Sequence, residues 1–395
     1  MVSMVDVIRQ YDYNLKDLAQ AFYSVVSERF GKSCFLGLKM SWTGRRKPVT
    51  YFTVKSGTDQ YSQGITGGVE IKGFGGSFFV GENEDVLPFL HARVSQKDQH
   101  RVDELFSAVH EYLKVKSIYK GKALTVDASG ALDFLDLAGV FQDKIIYNEK
   151  VERDLQAHVW TILEQPELCR QNDVILPRKV LFSGQYGSGK TLAAFLTAQK
   201  AVARGKTFIY LEPSVKMATN AINSLLQFAR RYKAVVLIED IDREQREGDL
   251  YSLGRIMACI DGVLSKNADV LIVMTTNNQG KISPGLLRPG RIDKVINFDS
   301  YTDEDATRLL KRIIPQKLLE SEIDWKYVSH ACSGYTPAFI CEVATSAKLF
   351  AISSVEQSVR VTQKMLLEAA GDLSERHKVC TQDPMGFHTG ISKIK

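Results

Sequence analysis

Apolar and polar positions alternate with different periods in successive parts of this chain. Between residues 5 and 30, Leu15, Leu18, Ala19, Phe22, Val25 and Val26 recur three or four apart. That spacing predicts one amphipathic helix, with Gly31 as its stop. Residues 34–94 hold short segments (CFLGLKM, VTYFTVKS, GGVEIKGF, SFFVGE, FLHARVS) rich in β-branched and aromatic residues and broken by Gly, Pro and Asn. They predict a small antiparallel β unit. The glycine-rich GFGGSFF (73–79) lacks the G-x-G-x-x-G spacing and is read as a hairpin bend. Ser95 and Asp98 have the spacing of a capping box. Behind them Val102, Leu105, Phe106, Val109, Tyr112 and Leu113 give a second helical stripe, and ALTV (123–126) predicts one more strand. Residues 1–140 are therefore read as a mixed α/β domain.

From Lys144 the pattern changes to helices alternating with wholly apolar runs: VLFSG (180–184), TFIYLE (207–212), AVVLIED (234–240) and VLIVMTTN (270–277). Strands without polar alternation belong in a parallel sheet covered on both faces, so the predicted class is α/β. After Tyr301 only helical patterns follow. The expected division is a large α/β nucleotide domain at 141–300, a helical lid at 301–380 and a tail at 381–395.

Composition narrows the chemistry. Six cysteines include no C-x-x-C pair, and seven histidines include no H-E-x-x-H, so zinc ribbons and zincin proteases are excluded. No apolar run reaches the ~18 residues of a membrane helix, and MVSMVDVIRQ lacks the basic start and apolar core of a signal peptide. A reducing, cytoplasmic setting is expected. Net charge is +5, too little to demand nucleic acid. Trp42 beside Arg45, Arg46 and Lys47 could grip a strand of nucleic acid, but a solvated hairpin turn is the better reading, because one basic tripeptide is not a stripe.

The strongest chemical signal is GQYGSGKT. Gly184, Gln185, Tyr186, Gly187, Ser188, Gly189, Lys190 and Thr191 fit G-x-x-x-x-G-K-[ST] between an apolar strand and an apolar helix. The glycines let backbone N–H groups turn toward phosphates, Lys190 neutralises β- and γ-phosphate charge, and the Thr191 hydroxyl is a magnesium ligand. AVVLIEDID (234–242) delivers Glu239 and Asp240 to a strand end, where one carboxylate can hold magnesium and the other can orient the attacking water. VLIVMTTNN ends on Asn277, placed to bond the γ-phosphate or the water. PGLLRPGRID fixes Arg288 and Arg291 by a Pro-Gly turn, where an arginine reaching another subunit's nucleotide would stabilise the transferring phosphoryl group.

In this order the four motifs resemble an AAA+ ATPase of the AAA subgroup, over roughly residues 140–350. The resemblance implies an ATP- and Mg²⁺-dependent α/β domain with a helical lid. It also implies a homo-oligomeric ring of six or seven subunits, with Arg288 and Arg291 facing the neighbour's ATP. Ile145 and Ile146 resemble the segment packed on adenine, and SGYTPAFICEVATSA (333–347) resembles the lid segment after the nucleotide. The acidic pair reads Glu239-Asp240 where most of the subgroup has Asp-Glu, which gives Glu239 the magnesium role and Asp240 the water. PSVKMAT (213–219) carries no aromatic-apolar-Gly pore loop. Both features are similar to the branch that moves the folded Rieske iron–sulfur protein during complex III assembly, here without a membrane segment. The expected activity is ATP hydrolysis in a ring that remodels or moves a protein partner, with the N-terminal domain as substrate contact or second tier. The alternatives are a nucleic-acid loader or packaging factor and an ATP-gated scaffold with slow turnover.

Overall fold

A computed structural model of the chain describes residues 3–39, 46–83, 87–127, 131–139, 146–174, 177–211, 219–242, 253–263, 268–282, 284–288, 290–354 and 359–382. Trp42, Arg45, Ile145, most of PSVKMAT and the 383–395 tail lie outside these residues.

The chain opens on a strand, β1 (Met4–Gln10), and the helix expected over 5–30 is confined to α1 (Leu15–Phe30). The correction has a simple cause. MVDVIRQ alternates half-buried Val5, Val7 and Arg9 with exposed Met4, Asp6, Ile8 and Gln10, a period of two that a strand satisfies. Asn14 then starts the helix by accepting the Lys16 N–H. Next come β2 (Phe35–Gly37), β3 (Thr50–Lys55), β4 (Tyr61–Ile71), β5 (Gly76–Glu82), β6 (Pro88–Ser95) and α2 (Gln99–Lys116). The strands form an antiparallel sheet of order β1-β6-β5-β4-β2, with β3 also on β4. The β4–β5 link is the bend expected at GFGG, where Gly73 has φ +89°. Leu18, Phe22 and Val26 of α1 and Val102, Phe106 and Val109 of α2 share one core with Phe78 and Leu90 of the sheet. The Ser95–Asp98 pair is no capping box: the Ser95 hydroxyl donates to Asp98, whose carboxylate also takes the Gly75 N–H and Arg101.

The second sheet holds β7 (Ala123–Val126), β8 (Leu132–Phe134), β9 (Arg178–Gly184), β10 (Phe208–Leu211), β11 (Val235–Ile238), β12 (Leu271–Thr276) and β13 (Lys294–Phe298). Its order is β13-β9-β12-β11-β10-β7-β8. The pairs β13–β9, β12–β9 and β10–β7 are parallel, as the unbroken apolar runs predict. ALTV, grouped by its sequence position with the preceding strands, instead runs parallel to β10, because its residues are buried on both faces. The remaining helices are α3 (Glu149–Leu155), which passes through a π turn at Gln156–Trp160 into α4 (Thr161–Glu164), then α5 (Pro166–Gln171), α6 (Lys190–Ala203), α7 (Thr219–Arg231) and α8 (Leu253–Val263). After the sheet come α9 (Asp303–Ile313), α10 (Trp325–Cys332), α11 (Pro337–Ser353) and α12 (Gln363–Gln382).

Contacts divide the chain into two compact units. One comprises Met1–Leu137, Ala198–Val236 and Arg255–Val270. It buries the carboxylate of Asp17 completely. Among the described residues its hydrogen-bond donors are neutral: the Ser117 hydroxyl at 2.5 Å, the Tyr232 hydroxyl at 2.9 Å and the Ile118 N–H at 3.1 Å. Burial pushes its pKa from 3.8 up to about 6 against the pull of those bonds. The other unit comprises Ala138–Thr197, Leu237–Gly254 and Leu271–Lys395. It contains the glycine-rich loop and a helical cluster built on Leu309, Leu310, Val328, Ile340, Val343 and Leu366.

Candidate functional site

The site lies in the second unit, at the C-terminal ends of β9, β11 and β12. Ligands of open α/β sheets bind at such ends. β9 ends at Gly184, and α6 begins six residues later at Lys190. Between them Gly187 and Gly189 take φ +76° and +94°, which glycine adopts without a Cβ penalty. At Gly187 a side chain also lacks space: a Cβ would sit 2.7 Å from that of Ala338 in the first turn of α11. The Ala338 N–H donates to the Gly187 carbonyl there, at 3.1 Å. Gln185 and Tyr186 are exposed, whereas Ser188 is buried.

Lys190 is buried and fully bonded. Its Nζ donates to the carbonyls of Gly184 (2.8 Å) and Gln185 (2.9 Å) and to Oδ1 of Asn277 (2.9 Å). Burial lowers its pKa; the charges of Asp240, Asp242 and Glu239 oppose that effect. The Thr191 hydroxyl donates to Oε1 of Glu239 at 2.5 Å. Asn277 spans the site: it accepts from Lys190 and donates through Nδ2 to Oδ1 of Asp240 at 2.7 Å. Its backbone N–H donates to buried Asp242 at 3.1 Å. Asp240 has a left-handed backbone, φ +47°, a conformation that costs an L-residue about 1–2 kcal/mol.

Of the residues singled out by motif, Lys190, Asn277 and Asp240 are brought into one chain of hydrogen bonds, and Thr191 and Glu239 into a second bonded pair. Arg288 and Arg291 are not. Both are exposed, and among the described residues neither side chain bonds to the loop. Their segment is fixed instead by Lys179, whose Nζ donates to the Gly290 carbonyl at 2.9 Å and whose N–H donates to Asp293 at 2.8 Å. Ile146 packs on the helical cluster, and its carbonyl accepts the Tyr301 hydroxyl. The contact with the loop comes from the next residue: Tyr147, buried beside Phe298, donates from its hydroxyl to the Gly189 carbonyl at 3.3 Å. Sequence reasoning passed over Tyr147, Asp242 and Thr275. The third acid of IEDID and the first Thr of MTTN were visible signals for two of them.

The donor set fits magnesium. The Thr191 hydroxyl and Glu239 carboxylate already meet, both are hard oxygens, and magnesium takes few protein ligands beside water and phosphate. Among the described residues no cluster of three or more His, Cys, Asp or Glu forms a fuller metal cage.

Residues 180–300 match the family model described as "ATPase family associated with various cellular activities (AAA)". The chain is 26% identical over 314 residues to a proteasome-activating nucleotidase of Methanococcus maripaludis, spanning 76% of this chain and 72% of the relative. It is 28% identical over 307 residues to the nucleotidase of the same name from Methanococcus vannielii, spanning 73% and 69%. Similarity to the ATP-dependent zinc metalloprotease FtsH of Mycoplasma mobile is 25% over 251 residues, covering 59% of this chain and 33% of that one. The chain therefore carries an AAA ATPase domain and hydrolyses ATP. These relatives do not single out the Rieske-protein branch.

Proposed function

We propose that the chain is a magnesium-dependent ATPase that works as a ring on a protein partner. The observation that carries this reading is two bonded sets at the strand ends, Lys190–Asn277–Asp240 and Thr191–Glu239. Lys190 moves from the loop carbonyls and Asn277 onto the β- and γ-phosphates, while loop N–H groups hold the phosphate oxygens. A magnesium ion on Thr191 and Glu239 would neutralise phosphate charge. Asn277 then orients the γ-phosphate or the attacking water. Asp240 accepts the water's proton, because its carboxylate is positioned by Asn277 rather than committed to the Thr191 hydroxyl.

Arg288 and Arg291 are exposed on a loop anchored by Lys179, a placement suited to reaching a neighbour's nucleotide. The relatives' names couple nucleotide chemistry to a proteasome and to proteolysis, which supports a protein partner. The Glu239-Asp240 order favours the finer reading, a Rieske-translocase-like ring that handles folded cargo. The nucleic-acid reading weakens because Arg46 is engaged with Glu70 at 2.5 Å and with the Gly37 carbonyl. We keep the division at residues 140, 300 and 380, with the N-terminal part contacting substrate or forming a second tier. The five free cysteines among the described residues suit a reducing, cytoplasmic setting. Among the described residues no helix is long and apolar enough to cross a membrane.

The test is solution mass by light scattering, with and without ATP and magnesium, on the wild type and on Asp240→Asn. The expected result is a nucleotide-dependent assembly of six or seven subunits. A monomer under every condition overturns the ring and leaves a solitary nucleotide switch.

A further inference from the structure

One hydroxyl in this site has no packing explanation. β12 is buried along its whole length and its first four residues are apolar, and valine has nearly the shape of threonine without the hydroxyl. Thr275 is nevertheless 1% exposed and polar. Its Oγ1 accepts the Asp240 N–H at 2.9 Å, and its carbonyl accepts the Ile241 N–H at 3.0 Å. The residue whose N–H it holds is, among the described residues of the site, the one non-glycine residue with a left-handed backbone, φ +47°. Aspartate is the shorter acidic side chain, so the direction of its backbone decides where its carboxylate reaches. Here that carboxylate meets Nδ2 of Asn277 at 2.7 Å. A buried N–H left without an acceptor is costly, so the Thr275 hydroxyl favours this turn over a relaxed one.

We propose that Thr275 is a positioning residue for ATP hydrolysis: its hydroxyl holds the Asp240 N–H and thereby aims the Asp240 carboxylate at Asn277. The inference rests on the reading of Asp240 as the group that takes the water's proton. Thr275 touches neither nucleotide nor metal in this scheme. Its removal therefore acts on kcat and spares ATP binding.

The experiment compares the wild type, Thr275→Ser, Thr275→Ala and Asp240→Asn for kcat, KM for ATP, nucleotide affinity and melting temperature. The serine and alanine variants differ by one hydroxyl and are both smaller than threonine, so packing loss is shared between them. Thr275→Ala is expected to lower kcat roughly tenfold to a hundredfold with KM within about twofold, the signature of a misplaced reacting group. Thr275→Ser should keep most of the wild-type kcat. Equal loss in both variants, or a wild-type rate in Thr275→Ala, overturns the proposal while an inactive Asp240→Asn leaves the reading of Asp240 standing. An Asp240→Asn variant with wild-type turnover overturns both.

Discussion

Lys190 and Asp17 are both buried, yet their surroundings treat charge in opposite ways. Lys190 lies in the field of Glu239, Asp240 and Asp242, with loop carbonyls and Asn277 filling its hydrogen-bonding capacity. Burial works against its charge and three carboxylates work for it. Asp17 is held by neutral hydroxyls and one N–H, and burial wins, raising its pKa to about 6. The first cluster keeps a cation prepared for a polyanion. The second joins α1, the segment after α2 and the end of α7 with a group that can shed its own charge. In these two clusters the built-in counter-charges accompany the candidate chemistry, and their absence accompanies a joint between elements.

The most severe way to break this contrast is Lys190→Ala. It leaves three carboxylates facing an incoming triphosphate with no lysine, so ATP binding should disappear in a fluorescent-nucleotide titration. Unchanged affinity would contradict the loop assignment. The next variants divide the acidic cluster by role. Asp240→Asn should retain nucleotide and lose turnover by about 10²–10⁴-fold, the range of a general base. Glu239→Gln should instead raise the magnesium concentration needed for activity. If only Glu239→Gln traps bound ATP with no turnover, the two roles are reversed.

The smallest effect is expected at Asp17 and concerns stability. Its folded-state pKa lies above the unfolded value of 3.8, so the folded state binds this proton more tightly. The resulting stabilisation is complete below the unfolded pKa and is lost as pH rises through about 6. Asp17→Asn removes this titration. The unfolding free energy of the wild type, from denaturant titration, should fall relative to the variant between roughly pH 4 and pH 7, by at most on the order of 3 kcal/mol. Parallel pH profiles would show that Asp17 is not the titrating group.

Motifs held in contiguous residues were legible in the sequence. Gly184 to Thr191, the Glu239-Asp240 strand end and Asn277 each follow an apolar run, and the parallel strands carry those runs to one edge. The Asp17 joint was not legible, because Ser117 and Tyr232 stand 100 and 215 positions away and no local pattern links them. β1 was missed for a different reason. The strong helical stripe from Leu15 was extended backward across a short alternating segment that does not share its period. Thr275 stands visibly at the end of an apolar run, but its bond to the Asp240 N–H just past β11 was not legible, because only the pairing order of the sheet brings the two near.

The contact at Gly187 makes the helical region a caliper for the loop. The jaws are the loop's own backbone and the first turn of α11, with an N–H bridge of 3.1 Å between them and no side chain of residue 187 as padding. A methyl group added at residue 187 would push on that turn. The push passes along a helix of 17 residues whose buried face is part of the helical core. The glycine-rich loop and the helical core are thereby gauged against each other at one backbone contact.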